Sequence, residues 1–235
     1  MIIAVTNLKG GVGKTTISTN LGVALAHLNY DVCIVDTDEQ QQSAMEWASS
    51  RESDKKQITV VGLKEKQLES GIFQLAEKYD IVIIDGSPQL DRLANVVLAV
   101  SNIIIIPIAP SIYDYRGFEL FYKRYTDIED IARMKGKKMQ AFVLLNSIKP
   151  NSRVLKDIEL GVKEFDIQRL NTMITDRVAY VDTATIGLGV VEYRDPKAKI
   201  EMENLAKEIE NIIKNYWFEN AYLVISIMVR YSVFE

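Results

Sequence analysis

The start of this chain carries the pattern that most limits its fold: a glycine-rich turn between an apolar run and a helical stretch. The apolar run covers residues 2–5, the turn at 9–16 reads KGGVGKTT, and apolar residues recur at helical spacing over 17–28. Glycine lets backbone N–H groups point at a bound anion, and a helix N-terminus adds partial positive charge there. We therefore predict a strand, a phosphate-binding loop and a helix, in that order.

Two side chains of this turn are of the types that a phosphate-binding loop uses. Lys14 would reach the β- and γ-phosphates of a nucleotide, and the Thr15 hydroxyl would bind Mg²⁺. The general string G-x-x-x-x-G-K-[ST] has glycine where this chain has Leu8, and this chain adds a second lysine, Lys9. The other loop residues predicted to contact the nucleotide are Gly10, Gly11, Val12, Gly13 and Thr16.

The composition fits one α/β domain. The chain has 235 residues, of which 48% are hydrophobic and 26% charged, which is enough for a sizeable core. We assign residues 1–217 to a single domain and 218–235 to a C-terminal tail.

The one cysteine, Cys33, excludes a disulfide framework and a cysteine-ligated metal cluster. The chain opens on a predicted strand and not on a secretory signal, so we expect a cytoplasmic protein.

Apolar runs alternate with helical periodicity along the chain, which is typical of a mostly parallel sheet with helices on both faces. The predicted strands are 2–6, 32–36, 58–61, 80–85, 102–108, 139–146 and 167–171. Residues 81–84 and 103–106 are apolar throughout, as expected of strands buried on both faces. Amphipathic helices are predicted over 114–134 and 197–217. The sequence therefore predicts a three-layer α/β fold.

Three aspartates follow predicted strands. Asp36 and Asp38 alternate at the end of the second strand, so both should point to the same side. Asp85 follows four apolar residues of the fourth strand, as in a Walker B sequence, and Gly86 would let the next segment approach a γ-phosphate. Ligands of open α/β sheets bind beyond the carboxyl ends of the strands. We therefore expect Thr15 and Asp85 to lie at a Mg²⁺ site, with the pair Asp36 and Asp38 beside them.

These residues resemble the deviant Walker A motif and the D-x-D and Walker B sequences of the ParA/MinD family of P-loop ATPases. The resemblance covers residues 1–216 and implies the P-loop NTPase fold, ATP and Mg²⁺ as cofactors, and ATP hydrolysis. It also implies that Lys9 reaches across a dimer to the nucleotide of the other protomer, as an arginine finger does. By the same resemblance, Asp36 would support the Mg²⁺ held by Thr15 and Asp85 without binding it directly. Asp38 would position the hydrolytic water, so the implied catalytic residues are Lys9, Lys14 and Asp38. Glu39 stands where the family has proline.

Two further segments allow two interpretations each. By resemblance, Asn146 at the end of the sixth strand would read the adenine edge, but an asparagine before Pro150 can also simply form a turn. The segment 107–111 resembles a family loop near the base and the dimer interface, although its prolines can also simply end the strand.

The net charge of −4 does not suggest nucleic-acid binding by the whole surface, so any DNA contact must use a local basic face. By resemblance, the chain would form a homodimer with ATP and bind DNA non-specifically. A ParB-like centromere-binding protein would stimulate hydrolysis, and the ATPase would segregate plasmid or chromosomal DNA on the nucleoid. The DNA-binding candidates are Arg153, Lys197 and Lys199. A charged run can equally be a solvated face.

The apolar run at 221–229 is too short to span a bilayer and lacks the basic face of an interfacial helix. We expect an extra strand or a packing arm there, and no membrane partner. Two alternatives to DNA partition stay open. One is a MinD-like regulator on a membrane surface, and the other is a scaffold that binds ATP without turnover.

Overall fold

The computed structural model describes residues 1–88, 92–149 and 153–232, and it describes side chains there except for Arg153 and residues 220–232. The strands are β1 Ile2–Val5, β2 Val32–Asp36, β3 Thr59–Gly62, β4 Ile81–Asp85, β5 Ile103–Ile108, β6 Gln140–Leu145 and β7 Gln168–Arg169. The helices are α1 Lys14–His27, α2 Ser43–Ser49, α3 Leu68–Ala76, α4 Arg92–Val100, α5 Ile112–Met134, α6 Arg153–Val162, α7 Val178–Thr185 and α8 Pro196–Ser232.

The strands form one sheet in the order β3-β2-β4-β1-β5-β6-β7, and every neighbouring pair is parallel. Because β4 lies between β1 and β2, the carboxyl end of β4 is next to the carboxyl ends of both other strands. Asp36 is in register with Asp85, and Asp85 with Val5, the last residue of β1 before the glycine-rich turn. The topology therefore brings the turn and both strand-end acids to one edge of the sheet.

Helices cover both faces of the sheet, so the predicted three-layer α/β fold is confirmed. One apolar core contains Leu21 of α1 and Leu205 of α8, and the other contains Leu98 of α4 and Phe118 of α5. The side chains of Ile83 and Ile104 are completely buried, as their all-apolar strands predict. All seven predicted strands are present, with ends that differ by one or two residues.

The prediction of a strand at 221–229 is wrong, because α8 continues as one helix to Ser232. A packing arm at 221–229 stays a prediction, because the side chains there lie outside the described residues. A short apolar run does not distinguish strand from helix. Here the run follows an established helix, so extending it requires no new nucleation. No helix in the described part of the chain is long and apolar enough to cross a bilayer.

Candidate functional site

The glycine-rich turn forms a loop directly before α1. Gly11 and Gly13 have φ angles of 76° and 85°, which L side chains rarely adopt, and Gly13 is the N-cap of α1. The loop lines a cleft of about 210 Å³ at the carboxyl edge of the sheet. The other residues that line this cleft include Lys14, Thr15, Thr16, Asp36, Asp38, Asp85 and Gly86. The cleft is therefore an anion site beside a cluster of acids.

Lys14 is held beneath the loop. Its ammonium group donates to the carbonyl oxygen of Lys9 at 2.8 Å, and the residue is buried. Burial lowers the pKa of Lys14, although the charges of Asp85 and Asp38 partly oppose this. Burial disfavours the charged form of Lys14, and a negatively charged ligand in the phosphate loop would stabilise that form.

Asp85 is bound by two hydroxyl groups of α1. Thr15 Oγ1 donates to Asp85 Oδ2 at 2.7 Å, and Ser18 Oγ donates to Asp85 Oδ1 at 3.1 Å. Burial raises the pKa of Asp85 to about 7, and the nearby charge of Asp36 adds to this increase. Sequence reasoning missed Ser18, which lies one helical turn after Lys14 on a face that the motif does not include.

Asp36 and Asp38 both line the cleft, but they make different contacts. Both carboxylate oxygens of Asp36 are occupied, because Oδ2 accepts from the N–H groups of Ala44 and Met45 and Oδ1 accepts from that of Asp38. Asp36 therefore fixes the start of α2. Asp38 is only half-buried, and its Oδ1 accepts from the N–H groups of two following residues, so its carboxylate is held at the mouth of the cleft.

Thr37, between these aspartates, connects the ends of β2 and β4. Its hydroxyl donates to the carbonyl oxygen of Asp85 at 2.7 Å and accepts from the N–H of Ser87 at 3.0 Å. Gly86 lies against β1, where a Cβ would come within 2.7 Å of Thr6 Cβ. The segment after β4 is thus fixed at its first two residues. Only its place between two acids marks Thr37 in the sequence.

Lys9 is at the edge of the site. Its Nζ lies 2.5 Å from Asp114 Oδ1, and the other oxygen of Asp114 accepts a very short hydrogen bond from the Ser111 hydroxyl. Ser111 is also the N-cap of α5. The side chain of Lys9 is 35% exposed and that of Asp114 only 6%. Sequence reasoning missed Asp114, although S-x-x-D before a helical stretch is a capping pattern.

Asn146 lies behind the loop. It is buried, and its side-chain amide donates to the carbonyl oxygen of Val12 at 2.8 Å. It is not among the residues that line the cleft. The segment 107–111 contributes the Pro107 carbonyl, which accepts from the side chain of Asn7 at 2.8 Å, and the Ser111 cap.

Of the three DNA-binding candidates, Lys197 and Lys199 are described with their side chains, and neither lines the cleft. Lys197 and Lys199 are exposed in the first turn of α8, and Lys199 Nζ lies 3.9 Å from Glu203. Arg153 begins α6, but its side chain lies outside the described residues.

A parallel sheet with a phosphate loop after β1 and an acid after β4 defines a P-loop nucleotide-binding protein. A family model described as the CobQ/CobB/MinD/ParA nucleotide binding domain matches residues 3–229. The chain therefore belongs to this family and is a ParA/MinD-type P-loop ATPase that uses ATP with Mg²⁺.

Two curated relatives and one solved structure illustrate the range of this family. Maintenance of carboxysome distribution protein A of Halothiobacillus neapolitanus is 28% identical over 213 residues, which cover 88% of this chain and 95% of the relative. Sporulation initiation inhibitor protein Soj of Bacillus subtilis is 26% identical over 251 residues, covering 88% and 97%. The septum site-determining protein MinD of Pyrococcus horikoshii, complexed with Mg-ADP, superimposes with a TM-score of 0.71 at 20% identity, covering 92% and 98%.

The donor set of the cleft fits a magnesium ion bound with a nucleotide. Mg²⁺ prefers oxygen ligands, keeps several waters and is usually held by few protein groups together with phosphates. The cleft offers the Thr15 hydroxyl and the Asp85 carboxylate, which already contact each other, beside the anion site.

Proposed function

We propose that this chain is a ParA-type partition ATPase. It binds ATP with Mg²⁺, pairs with a second copy so that two nucleotides lie between the protomers, and binds DNA non-specifically as that dimer. A ParB-like centromere-binding protein stimulates hydrolysis and releases the dimer from the nucleoid. The cycle segregates plasmid or chromosomal DNA in the cytoplasm. One relative, the carboxysome distribution protein, is likewise named for the distribution of a cargo.

Within each protomer, the backbone of the phosphate loop and Lys14 bind the triphosphate. Thr15 and Asp85 hold Mg²⁺, and Asp36 supports this site from the start of α2. The ion neutralises negative charge on the phosphates when it is bound. Asp38, whose carboxylate is fixed at the mouth of the cleft, orients the water that attacks the γ-phosphate.

The observation that carries the proposal is the second lysine. The Lys9 carbonyl accepts from Lys14, so Lys9 is part of the loop, whereas its own ammonium group points away from the cleft to Asp114. The 35% exposure of this side chain supports the proposal that Lys9 acts on the nucleotide of a neighbouring protomer once it leaves Asp114. Such a cation, placed over the charge of the transferring phosphoryl group, accelerates hydrolysis as an arginine finger does.

Light scattering after gel filtration tests the dimer. With ATP and Mg²⁺ the wild type should elute as a dimer, Lys14→Ala should bind no nucleotide and stay monomeric, and Asp38→Ala should accumulate as the ATP dimer. Lys9→Ala should lose both dimer and turnover. ATP-dependent dimerisation and normal hydrolysis by Lys9→Ala would refute the proposal.

Binding to a random-sequence duplex tests the DNA step. Affinity should require ATP and fall steeply as salt rises, because released counterions drive such binding. The double variant Lys197→Ala/Lys199→Ala should weaken binding. Lys78→Ala/Lys123→Ala, which removes two exposed lysines elsewhere, is the matched control. Equal affinity of the two double variants would exclude the start of α8 as the DNA contact.

A MinD-like membrane function is the second candidate. The observation in its favour is that α8 continues as one helix through the apolar run at 221–229, where the sequence predicts a strand. Flotation with anionic liposomes, with and without ATP, separates the two. ATP-dependent flotation that is lost on deletion of residues 218–235 would favour the membrane function. Flotation should be absent for a DNA partition ATPase. A scaffold without turnover does not fit a chain that belongs to this ATPase family.

A further inference from the structure

The contacts of Asn146 concern the phosphate loop and not an open pocket. Its backbone N–H donates to Ile108 at the end of β5, which continues the sheet for one more residue. Its side-chain amide then reaches across to Val12 and donates to that carbonyl oxygen at 2.8 Å. Asn146 is 4% exposed, so this hydrogen bond is shielded from water.

The same side chain limits which residue can follow Val12. A Cβ placed on Gly13 would overlap Nδ2 of Asn146. Gly13 also has a positive φ of 85°. Glycine is therefore needed here for two separate reasons, the backbone conformation and the space taken by the asparagine.

Asn7 makes the corresponding contacts at the other end of the loop. Its side-chain amide donates to the Pro107 carbonyl of β5 at 2.8 Å, and its side-chain oxygen accepts from the N–H of Lys9 at 3.2 Å. Asn7 is completely buried. Two buried asparagines thus connect the start and the end of the loop to the carboxyl ends of β5 and β6.

We propose that Asn146 and Asn7 are positioning residues that hold the phosphate loop in its anion-binding shape. A hydrogen-bonded Val12 carbonyl is directed away from the anion, which leaves the loop N–H groups to point inward. The contact of Asn146 is with the loop that binds the triphosphate, so its effect is independent of the base. The inference rests on the ATP-binding site of the proposed function. It does not depend on the proposed dimer or on DNA binding.

Competitive displacement of a fluorescent ATP analogue tests this with three ligands: ATP, GTP and inorganic tripolyphosphate, each with Mg²⁺. Asn146→Ala should weaken all three by the same factor, about tenfold, because a shielded hydrogen bond to the loop is lost. Its preference for ATP over GTP should equal that of the wild type. Asn171→Ala is the control, because that asparagine also donates a side-chain hydrogen bond but lies exposed and away from the cleft.

Loss of the preference for ATP over GTP, with tripolyphosphate binding unchanged, would overturn the inference and assign Asn146 to the base. No binding of ATP by the wild type would instead refute the proposed function. A double-mutant cycle with Gly13→Ala gives a second readout. Gly13→Ala should reduce ATP affinity by some factor in the wild-type background, and that factor should be at least threefold smaller in the Asn146→Ala background. Equal factors in the two backgrounds would contradict the steric contact between residue 13 and Asn146.

Discussion

The ammonium group of Lys9 lies 2.5 Å from the carboxylate of Asp114, within one protomer. Asp114 is buried in the first turn of α5, where Ser111 also donates to it. We propose that Lys9 acts on the nucleotide of the other protomer, but in this structure it forms an ion pair with a buried acid of its own protomer. Moving it across a dimer interface requires this ion pair to break, and a buried acid that loses its partner is costly.

Asp114→Asn should make the dimer easier to form. Asparagine keeps the size of the side chain and can still accept from Ser111, but it removes the charge that holds Lys9. Because a larger fraction of protomers then has a released lysine, the ATP concentration for half-maximal dimer should fall about fivefold. Light scattering across an ATP titration measures it.

Asp127→Asn is the matched control, because it makes the same charge change at an exposed position of the same helix. It should leave the titration unchanged. If Asp114→Asn dimerises no more readily than Asp127→Asn, the pair with Lys9 does not restrain the dimer.

Thr37→Val should slow hydrolysis about tenfold with a smaller effect on ATP binding. Valine has the shape of threonine but cannot bridge the Asp85 carbonyl and the Ser87 N–H, so the segment after β4 loses its fixed position. Thr37→Ser retains the hydroxyl and should stay within about twofold of the wild-type rate. Steady-state ATPase assays compare the two. A Thr37→Val rate as high as that of Thr37→Ser would show that the bridge does not matter for hydrolysis.

Glu192→Gln should destabilise the fold by about 3 kcal/mol, because it leaves the buried guanidinium of Arg51 without a counter-charge. Arg51 donates to both oxygens of Glu192, at 2.9 and 2.7 Å. Glu203→Gln, which breaks an exposed pair with Lys199 at 3.9 Å, should cost less than about 0.5 kcal/mol. Urea unfolding at neutral pH measures both. Equal effects would contradict the assignment.

The same glutamate should make the wild type acid-sensitive. Burial raises the pKa of Glu192, but hydrogen bonds from Arg51 and the Gly189 N–H outweigh it, and the pKa is lowered overall. A lowered carboxyl pKa stabilises the fold above the unfolded value, near pH 4.5, and this stability is lost as pH falls through the folded pKa. The unfolding free energy should therefore decline less below pH 4.5 in Glu192→Gln. A parallel decline would refute this.

Much of the fold was predictable because strands buried on both faces are apolar throughout. Residues 81–84 and 103–106 show this directly, and the alternation with helices indicates parallel pairing. The stripe from Met202 to Tyr216 predicted the buried face of α8, and most of its residues are buried. The strand expected in the tail was wrong because periodicity does not separate a short apolar helix from a strand.

The residues of the cleft were predictable where chemistry is tied to a local pattern. Lys14, Thr15 and Asp85 each follow a strand or loop whose sequence marks its end. Asp114, Thr37 and Asn7 were not, because their roles depend on tertiary contacts: Asn7 meets a residue 100 positions away. The contact of Asn146 with Val12 depends in the same way on how β6 lies beside the loop.

Mixing two inactive variants tests the central claim that each protomer supplies Lys9 to its partner's nucleotide. In a dimer of Lys9→Ala with Asp38→Ala, one site has Asp38 from its own protomer and Lys9 from the other, so it is complete. Lys9→Ala does not pair with itself and Asp38→Ala pairs with itself only as an inactive dimer, so turnover in a mixture made before ATP is added comes from mixed dimers alone. The ATPase activity of the mixture should therefore rise well above the sum of the two variants measured separately. A mixture no more active than the two variants measured alone would show that Lys9 does not act across the dimer.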